Sequence, residues 1–237
     1  MCPLCKTQMD GGGHIAGGCV YPDMTKMYIA RHNQIGRIIL KAISKGGMGG
    51  GLAMADVGCE DKCEMDGAPA LRCNHVPATL LPVPRGATPE QKAQHAKILR
   101  TLKPDAMLVT PGKGKSDTTI HIVEIKCCPD TRPQEQLEKS RTQHSTLTKL
   151  LIQQGYNPAK IHVVPILVGV SGTIYTEHTI QALEHLGVGW QQARKCANKI
   201  HVKTVQYLQS IVSTRRRLEH SNHAQQPCSR NSNTQPP

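Results

Sequence analysis

Between residues 88 and 170 the chain alternates helical and extended segments in an order that leaves few folds open. Thr88-Pro89-Glu90 reads as an N-cap followed by proline at the first helical position, and a helix to about Leu102 follows. Two apolar strands come next, Asp105–Thr110 and Thr118–Cys127, joined by the turn Pro111-Gly112-Lys113-Gly114-Lys115-Ser116-Asp117. A long helix over 133–154 and a buried strand over Lys160–Val170 complete the series. Ile122-Val123 and Val163-Val164 place apolar side chains on both faces of their strands. Such a sheet has to be covered by helices on both sides, which predicts an α/β layer fold whose central strands are covered on both faces.

The flanks are simpler. Met27, Ile35, Ile38, Ile39 and Ala42 recur at helical spacing, so residues 23–45 read as a basic amphipathic helix. Glycines crowd residues 46–51, and Pro77, Pro82, Pro84 and Gly86 follow, so 46–87 reads as an irregular linker. A short strand Thr173–His178 and a short helix Thr179–Leu186 close the 88–188 domain, and a long basic C-terminal helix over 189–218 follows. In that helix Trp190, Ala193, Ala197, Ile200, Val205, Leu208 and Ile211 form the apolar stripe and Arg194, Lys195, Lys199 and Lys203 the rest. The polar tail 219–237 is expected to be disordered.

Charge bears on the partner. Lys and Arg number 29 against 17 Asp and Glu, a formal net charge of +12. An excess of this size suits an anionic partner, with DNA the first expectation and RNA the alternative. Phenylalanine is absent and Trp190 is the one tryptophan, so base stacking contributes little and phosphate contacts carry the burden. No stretch has the length of a membrane span, so no membrane partner is expected. The ten cysteines, without a secretory signal ahead of them, are expected in a reducing compartment, where thiols bind metal more often than they pair.

The hairpin places chemistry at one end. Folding it symmetrically about Gly114 and Lys115 sets Asp105 opposite Glu124, and cross-strand partners share a face with Cβ atoms roughly 5 Å apart. Lys126, two residues on from Glu124, points the same way. Two unpartnered carboxylates would repel, and a divalent cation, Mg²⁺ or Mn²⁺, removes the conflict while offering water positions for hydrolysis. Lys126 would orient the water or stabilise charge on the phosphate. A plain salt bridge between Lys126 and either acid is the bland alternative.

At the N-terminus, Cys2-x2-Cys5-x8-His14-x4-Cys19 supplies three thiolates and one imidazole, a complete tetrahedral zinc set, so residues 1–22 read as a CCHC zinc knuckle. A bound ion would hold together a segment too small to fold by itself. Cys59, Cys63, Cys73 and His75 could form a second site, though their spacing fits no zinc module. Neighbouring Cys127 and Cys128 read as strand-end packing. Met1 standing directly before Cys2 reads as a chain cut from a longer protein.

Lys103-Pro104-Asp105 followed by Glu124-Ile125-Lys126, with a helix before and a helix and buried strand after, resembles the PD-(D/E)XK (restriction-endonuclease-like) nuclease core, which implies a mixed sheet flanked by helices. The resemblance implies metal binding by Asp105 and Glu124, hydrolytic assistance by Lys126, and an accessory helix acid that would fall on Glu90. It also implies auxiliary roles around Lys139, Arg141, Gln143 and His144. A CCHC knuckle, then Arg31-His32-Asn33 on a helix, then such a core is similar to the C-terminal part of site-specific non-LTR (LINE-type) retrotransposon proteins. That likeness implies nuclear target-DNA nicking beside an upstream reverse transcriptase, with a catalytically inactive binding remnant as the alternative. Arg31, His32, Arg37, Lys113, Lys115, Lys139 and Arg141 are the residues expected to meet nucleic acid.

Overall fold

A computed structural model describes residues 1–46, 51–56 and 75–224. Six α-helices and four strands follow in chain order among these residues: α1 (Pro22–Lys45), β1 (Leu52–Ala55), α2 (Pro89–Thr101), β2 (Ala106–Thr110), β3 (Thr119–Cys128), α3 (Pro133–Gln143), α4 (Ser145–Gln153), β4 (Ile161–Gly169), α5 (Ala182–His185) and α6 (Trp190–Ala224). The strands form one mixed sheet in the order β1-β2-β3-β4. β1–β2 and β2–β3 are antiparallel, and β3–β4 is parallel. The fold is thus a mixed α/β architecture with helices on both faces and a long C-terminal helix.

Alternation along β3 decides what lies on each face. Val123 and Ile125 join Val164, Ile166 and Val168 of β4 under Ile35, Ile39 and Ile43 of α1 and Ala193, Cys196 and Ile200 of α6. Ile120 and Ile122, with Met107 of β2, pack against Leu147 and Leu151 of α4 and Leu99 of α2. With a two-residue period, Glu124 and Lys126 fall on the second face, beyond Ile122. Fully burying each of these aliphatic side chains contributes on the order of 1.5–3 kcal/mol, so a core without phenylalanine is adequately driven.

α2 starts as the sequence predicts. Thr88 Oγ1 accepts from Gln91 N at 3.3 Å, and the Gln91 side chain accepts from Thr88 N at 2.9 Å, a reciprocal capping box. Elsewhere the structure departs from the sequence expectations. The span 133–154 is two helices, broken at His144 (φ −99°, ψ 14°), whose imidazole turns inward to Glu124. Thr173–His178 makes one isolated bridge, Ile174 to Val168, and then a π-helical turn Thr176–Gln181. The buried Thr179 hydroxyl explains that turn: it donates to Leu167 O at 2.6 Å and accepts from Tyr175 N at 3.1 Å. Within 46–87, Leu52–Ala55 forms edge strand β1 with Met54 fully buried. Within 219–237, α6 continues through Ala224, with Glu219 held by Arg215 one turn earlier at 2.7 Å. Residues 225–237 lie outside the described residues.

β4 ends at a tight crossing. Gly169 N donates to Thr173 O at 2.9 Å, and a Cβ at Gly169 would collide with the Asp130 carboxylate and the Thr173 side chain. Gly169→Ala is therefore expected to lower stability by about 1–3 kcal/mol, read as a fall in the urea midpoint at unchanged slope. A wild-type midpoint would refute the crossing.

Among the described residues no helix is long and apolar enough to cross a membrane.

Candidate functional site

β2 and β3 pair Ala106 with Val123, and continuing the register by one residue puts Asp105 opposite Glu124. Asp105 lies just before β2, with buried Pro104 behind it. Its Oδ2 accepts from Ile125 N at 2.6 Å, which fixes the carboxylate against β3. Its Oδ1 is 3.0 Å from His32 Nε2, delivered by α1. Burial works to lower the His32 pKa. Hydrogen bonds to Asp105 and Cys127, with their charges, outweigh it and lift His32 to about 10.

Glu124 is 3 % exposed and fully partnered. Oε1 meets Lys126 Nζ at 2.5 Å and Gln143 Nε2 at 3.1 Å, and Oε2 meets His144 Nε2 at 2.7 Å. Burial alone would raise its pKa, but the bonds from His144 and Lys126 and their charge hold it below the usual carboxylate range. The break between α3 and α4 is what allows two consecutive residues, Gln143 and His144, to reach one carboxylate.

These contacts correct one step of the sequence argument. Neither acid is unpartnered: Asp105 faces His32, and Glu124 faces Lys126 and His144. Repulsion between bare carboxylates therefore gives no reason for a divalent cation here. The hard oxygen donors suit Mg²⁺ or Mn²⁺ in kind, but a cation at Asp105 Oδ1 would take the place that His32 holds.

His144→Ala should cost about 1–3 kcal/mol, because a buried acceptor loses a donor. Because the folded Glu124 pKa is depressed, its contribution is fully present above the unfolded value, near 4.3, and is lost as pH falls through the folded one. Thermal unfolding from pH 7 to pH 3 should show a shallower acid loss in Glu124→Gln than in wild type. Parallel curves would remove Glu124 from the acid response.

The remaining sequence candidates lie apart. Glu90 is exposed in the first turn of α2, its carboxylate taken up by its own backbone N–H and the Thr88 hydroxyl, and the structure does not bring it to the trio. Arg31 is 2 % exposed and donates to Ala16 O at 2.8 Å and Val170 O at 3.4 Å. It is a buried clamp, closed to phosphate. His32 is tied to Asp105. Arg37 is half-buried on α1. Lys113 is exposed in the β2–β3 turn, and Lys115 donates to Gln154 O at 2.9 Å over the Tyr156 ring. Lys139 pairs with Glu135 at 2.6 Å, and Arg141 is exposed on α3.

At the N-terminus the four ligand atoms of Cys2, Cys5, His14 and Cys19 all lie within 4.8 Å of one another. Cys2 and Cys19 sulfurs are 3.9 Å apart, and Cys5 Sγ is 3.4 Å from His14 Nε2. Tetrahedral zinc with its usual bond lengths requires S–S edges of about 3.8 Å and S–N edges of about 3.6 Å. His14 Nδ1 lies 3.0 Å from Gln8 Oε1, an acceptor, so Nδ1 carries the proton and Nε2 is left to ligate. Arg215 of α6 lies 3.6 Å from Cys2 Sγ and 2.7 Å from Asp10 Oδ2. Three thiolates around a dication leave one negative charge, which that guanidinium offsets. The group can hold a metal ion, and its donors are compatible with structural zinc. The knuckle is also not free-standing: Cys2, Leu4 and Cys19 share a small core with Met24 of α1 and Ile211 of α6.

Of the second proposed cysteine set, Cys59, Cys63 and Cys73 lie outside the described residues, and His75 is exposed. Sequence reasoning missed His32 as a partner of Asp105 and Arg215 as a partner of Cys2. Each comes from a helix remote in sequence, and only the i, i+4 spacing of Arg215 and Glu219 hinted at a fixed side chain. No protein-family model matches the chain, and no curated protein matches its sequence.

Proposed function

We propose that this chain is a divalent-metal-dependent DNA endonuclease of the restriction-like PD-(D/E)XK type, the target-nicking part of a non-LTR retrotransposon protein. One observation carries the reading. The hairpin register aligns Asp105 with Glu124, and Lys126 contacts Glu124, at one end of a mixed sheet flanked by helices. That is the trio the sequence resemblance implies, on a mixed sheet flanked by helices. The knuckle before α1 adds the same order of parts, with zinc as its ion. In this reading DNA is the partner, a reverse transcriptase acts alongside, and the nucleus is the location.

Chemically, the chain's own groups divide the work. The Ile125 N–H orients Asp105, and Gln143 and His144 hold Glu124 so that its charge persists in a buried place. His32 guards Asp105 Oδ1 and has to swing away for that oxygen to face a ligand. Lys126, about a third exposed, keeps its ammonium where a scissile phosphate would lie and stabilises charge built up on it. A divalent cation, when bound, would supply the Lewis acid and the acidified water.

A second reading has its own observation. Both carboxylates are already neutralised by side chains of this chain, as expected of a nucleic-acid-binding module that does not cut. Supercoiled plasmid incubated with the zinc-loaded protein and Mg²⁺ separates the two. Nicked circles that need Mg²⁺ support the endonuclease. DNA retained at low salt, released at high salt and never nicked with Mg²⁺ or Mn²⁺ supports the binding module.

A further inference from the structure

His121 of β3 and His162 of β4 are direct neighbours in the parallel register, on the face that carries Val123 and Val164. His185 of α5 closes over them. The ring centroids of His121 and His162 are 5.1 Å apart, those of His121 and His185 5.3 Å, and those of His162 and His185 5.6 Å. His121 is 3 % exposed, and its Nδ1 is buried with no hydrogen-bond partner. A polar atom so placed is costly to leave unsatisfied. His162 and His185 also line a cleft of about 560 Å³, together with Arg141, Glu177 and His178. The cluster therefore has a way in from solvent.

We propose that His121, His162 and His185 form a binding site for a borderline divalent transition-metal ion of the Zn²⁺, Co²⁺ or Ni²⁺ kind. The separations leave room for such an ion, within the roughly 4.5–7 Å range of ordinary ring packing. With a metal–nitrogen bond of about 2.0–2.1 Å, each ring centroid stands about 3.2 Å from the metal, and tetrahedral angles then set centroids about 5.2 Å apart. The three rings already stand at that spacing. Their nitrogens do not yet converge, since His121 and His162 are stacked at 27°. Binding would require the imidazoles to turn about χ2, a broad and shallow torsion, so that their nitrogens face one point. Three imidazoles with an open side facing a cleft are a borderline-metal donor set, and they are poor ligands for Mg²⁺ or Ca²⁺. Burial and the two facing rings hold His121 well below the usual histidine range, so it is neutral, the form that ligates. A bound ion would take up the orphaned His121 nitrogen and join β3, β4 and α5.

Zinc titration followed by calorimetry tests this on the full chain, with the knuckle already carrying one zinc and with Glu124→Gln removing a competing carboxylate. One further equivalent of zinc is expected to bind. His185→Ala, exposed and away from the packed core, and His162→Gln should each weaken that second event by roughly tenfold or more while leaving the first zinc in place. Ring-nitrogen NMR shifts of the three histidines on zinc addition would mark the ligands. Absence of a second equivalent overturns the proposal, and so does a second equivalent that both variants bind as tightly as the parent.

Discussion

Stripping the knuckle with a strong zinc chelator is expected to unfold residues 1–22 and to loosen the helix pair α1–α6 on which they sit. Apparent binding free energies of structural zinc sites are about 10–16 kcal/mol at neutral pH, as large as the whole stability of an ordinary domain. Without the ion, the Cys2, Cys5 and Cys19 thiols and the His14 ring have no common partner. The small core of Leu4, Met24 and Ile211 then loses the chain segment that closes it. Arg215 would keep Asp10 and Glu219 but lose the thiolate it faces. Circular dichroism should show a lower thermal midpoint with a partial loss of helix signal, restored by zinc and not by Mg²⁺. Cys5→Ser should reproduce the loss. A midpoint indifferent to chelation and to Cys5→Ser would show that the four ligand atoms are packed together without an ion.

Asp105→Asn and Glu124→Gln should each reduce plasmid nicking on the order of 10²–10³-fold or more, the scale on which single electrostatic contributors act at a reacting phosphate or acyl centre. Both replacements keep the shape while removing the charge and exchanging one acceptor oxygen for an NH2 donor. Glu124→Gln leaves Lys126 a neutral acceptor and His144 a partner, so the fold should survive with a modest loss. The stability control matters because full truncation of a buried charged partner costs about 3–5 kcal/mol by itself. Lys126→Met should lower the rate while leaving DNA retention nearly intact, since it removes one cation of many. If wild type nicks and the two acid variants nick at the same rate, the trio is a salt-bridge network and the cutting activity lies elsewhere.

How far the sequence could foretell these sites depends on the range of the contacts. The pairing of Asp105 with Glu124 was legible because a hairpin folds about its own turn, and the two-residue period fixes which side Lys126 takes. The capping box at Thr88 and Gln91 was legible for the same local reason. What neutralises the acids was not. His32 reaches Asp105 across 73 residues, and His144 reaches Glu124 only because the predicted helix breaks at His144 itself. No glycine or proline marks that break; a buried carboxylate drawing in an imidazole does. Edge strand β1 was hidden because Leu-Ala-Met-Ala has little strand preference and gains its place from Met54 packing beneath the sheet. Arg31 looked like a phosphate ligand by charge, and burial made it a clamp.

The contact between Arg215 and Cys2 has a consequence for how the chain is made. The two residues are 213 positions apart, so the guanidinium that balances the knuckle leaves the ribosome long after the four ligands do. Until then the four ligands can gather an ion, but the cluster keeps an exposed negative charge and lacks Ile211 as a floor. Closing a contact of such long range is slow compared with forming the helices themselves. The knuckle, made well before α6, therefore reaches its final surroundings only after α6 has been made. A ribosome stalled before Arg215 would hold a knuckle that binds metal yet hangs loose, more open to chelators and proteases than the finished protein.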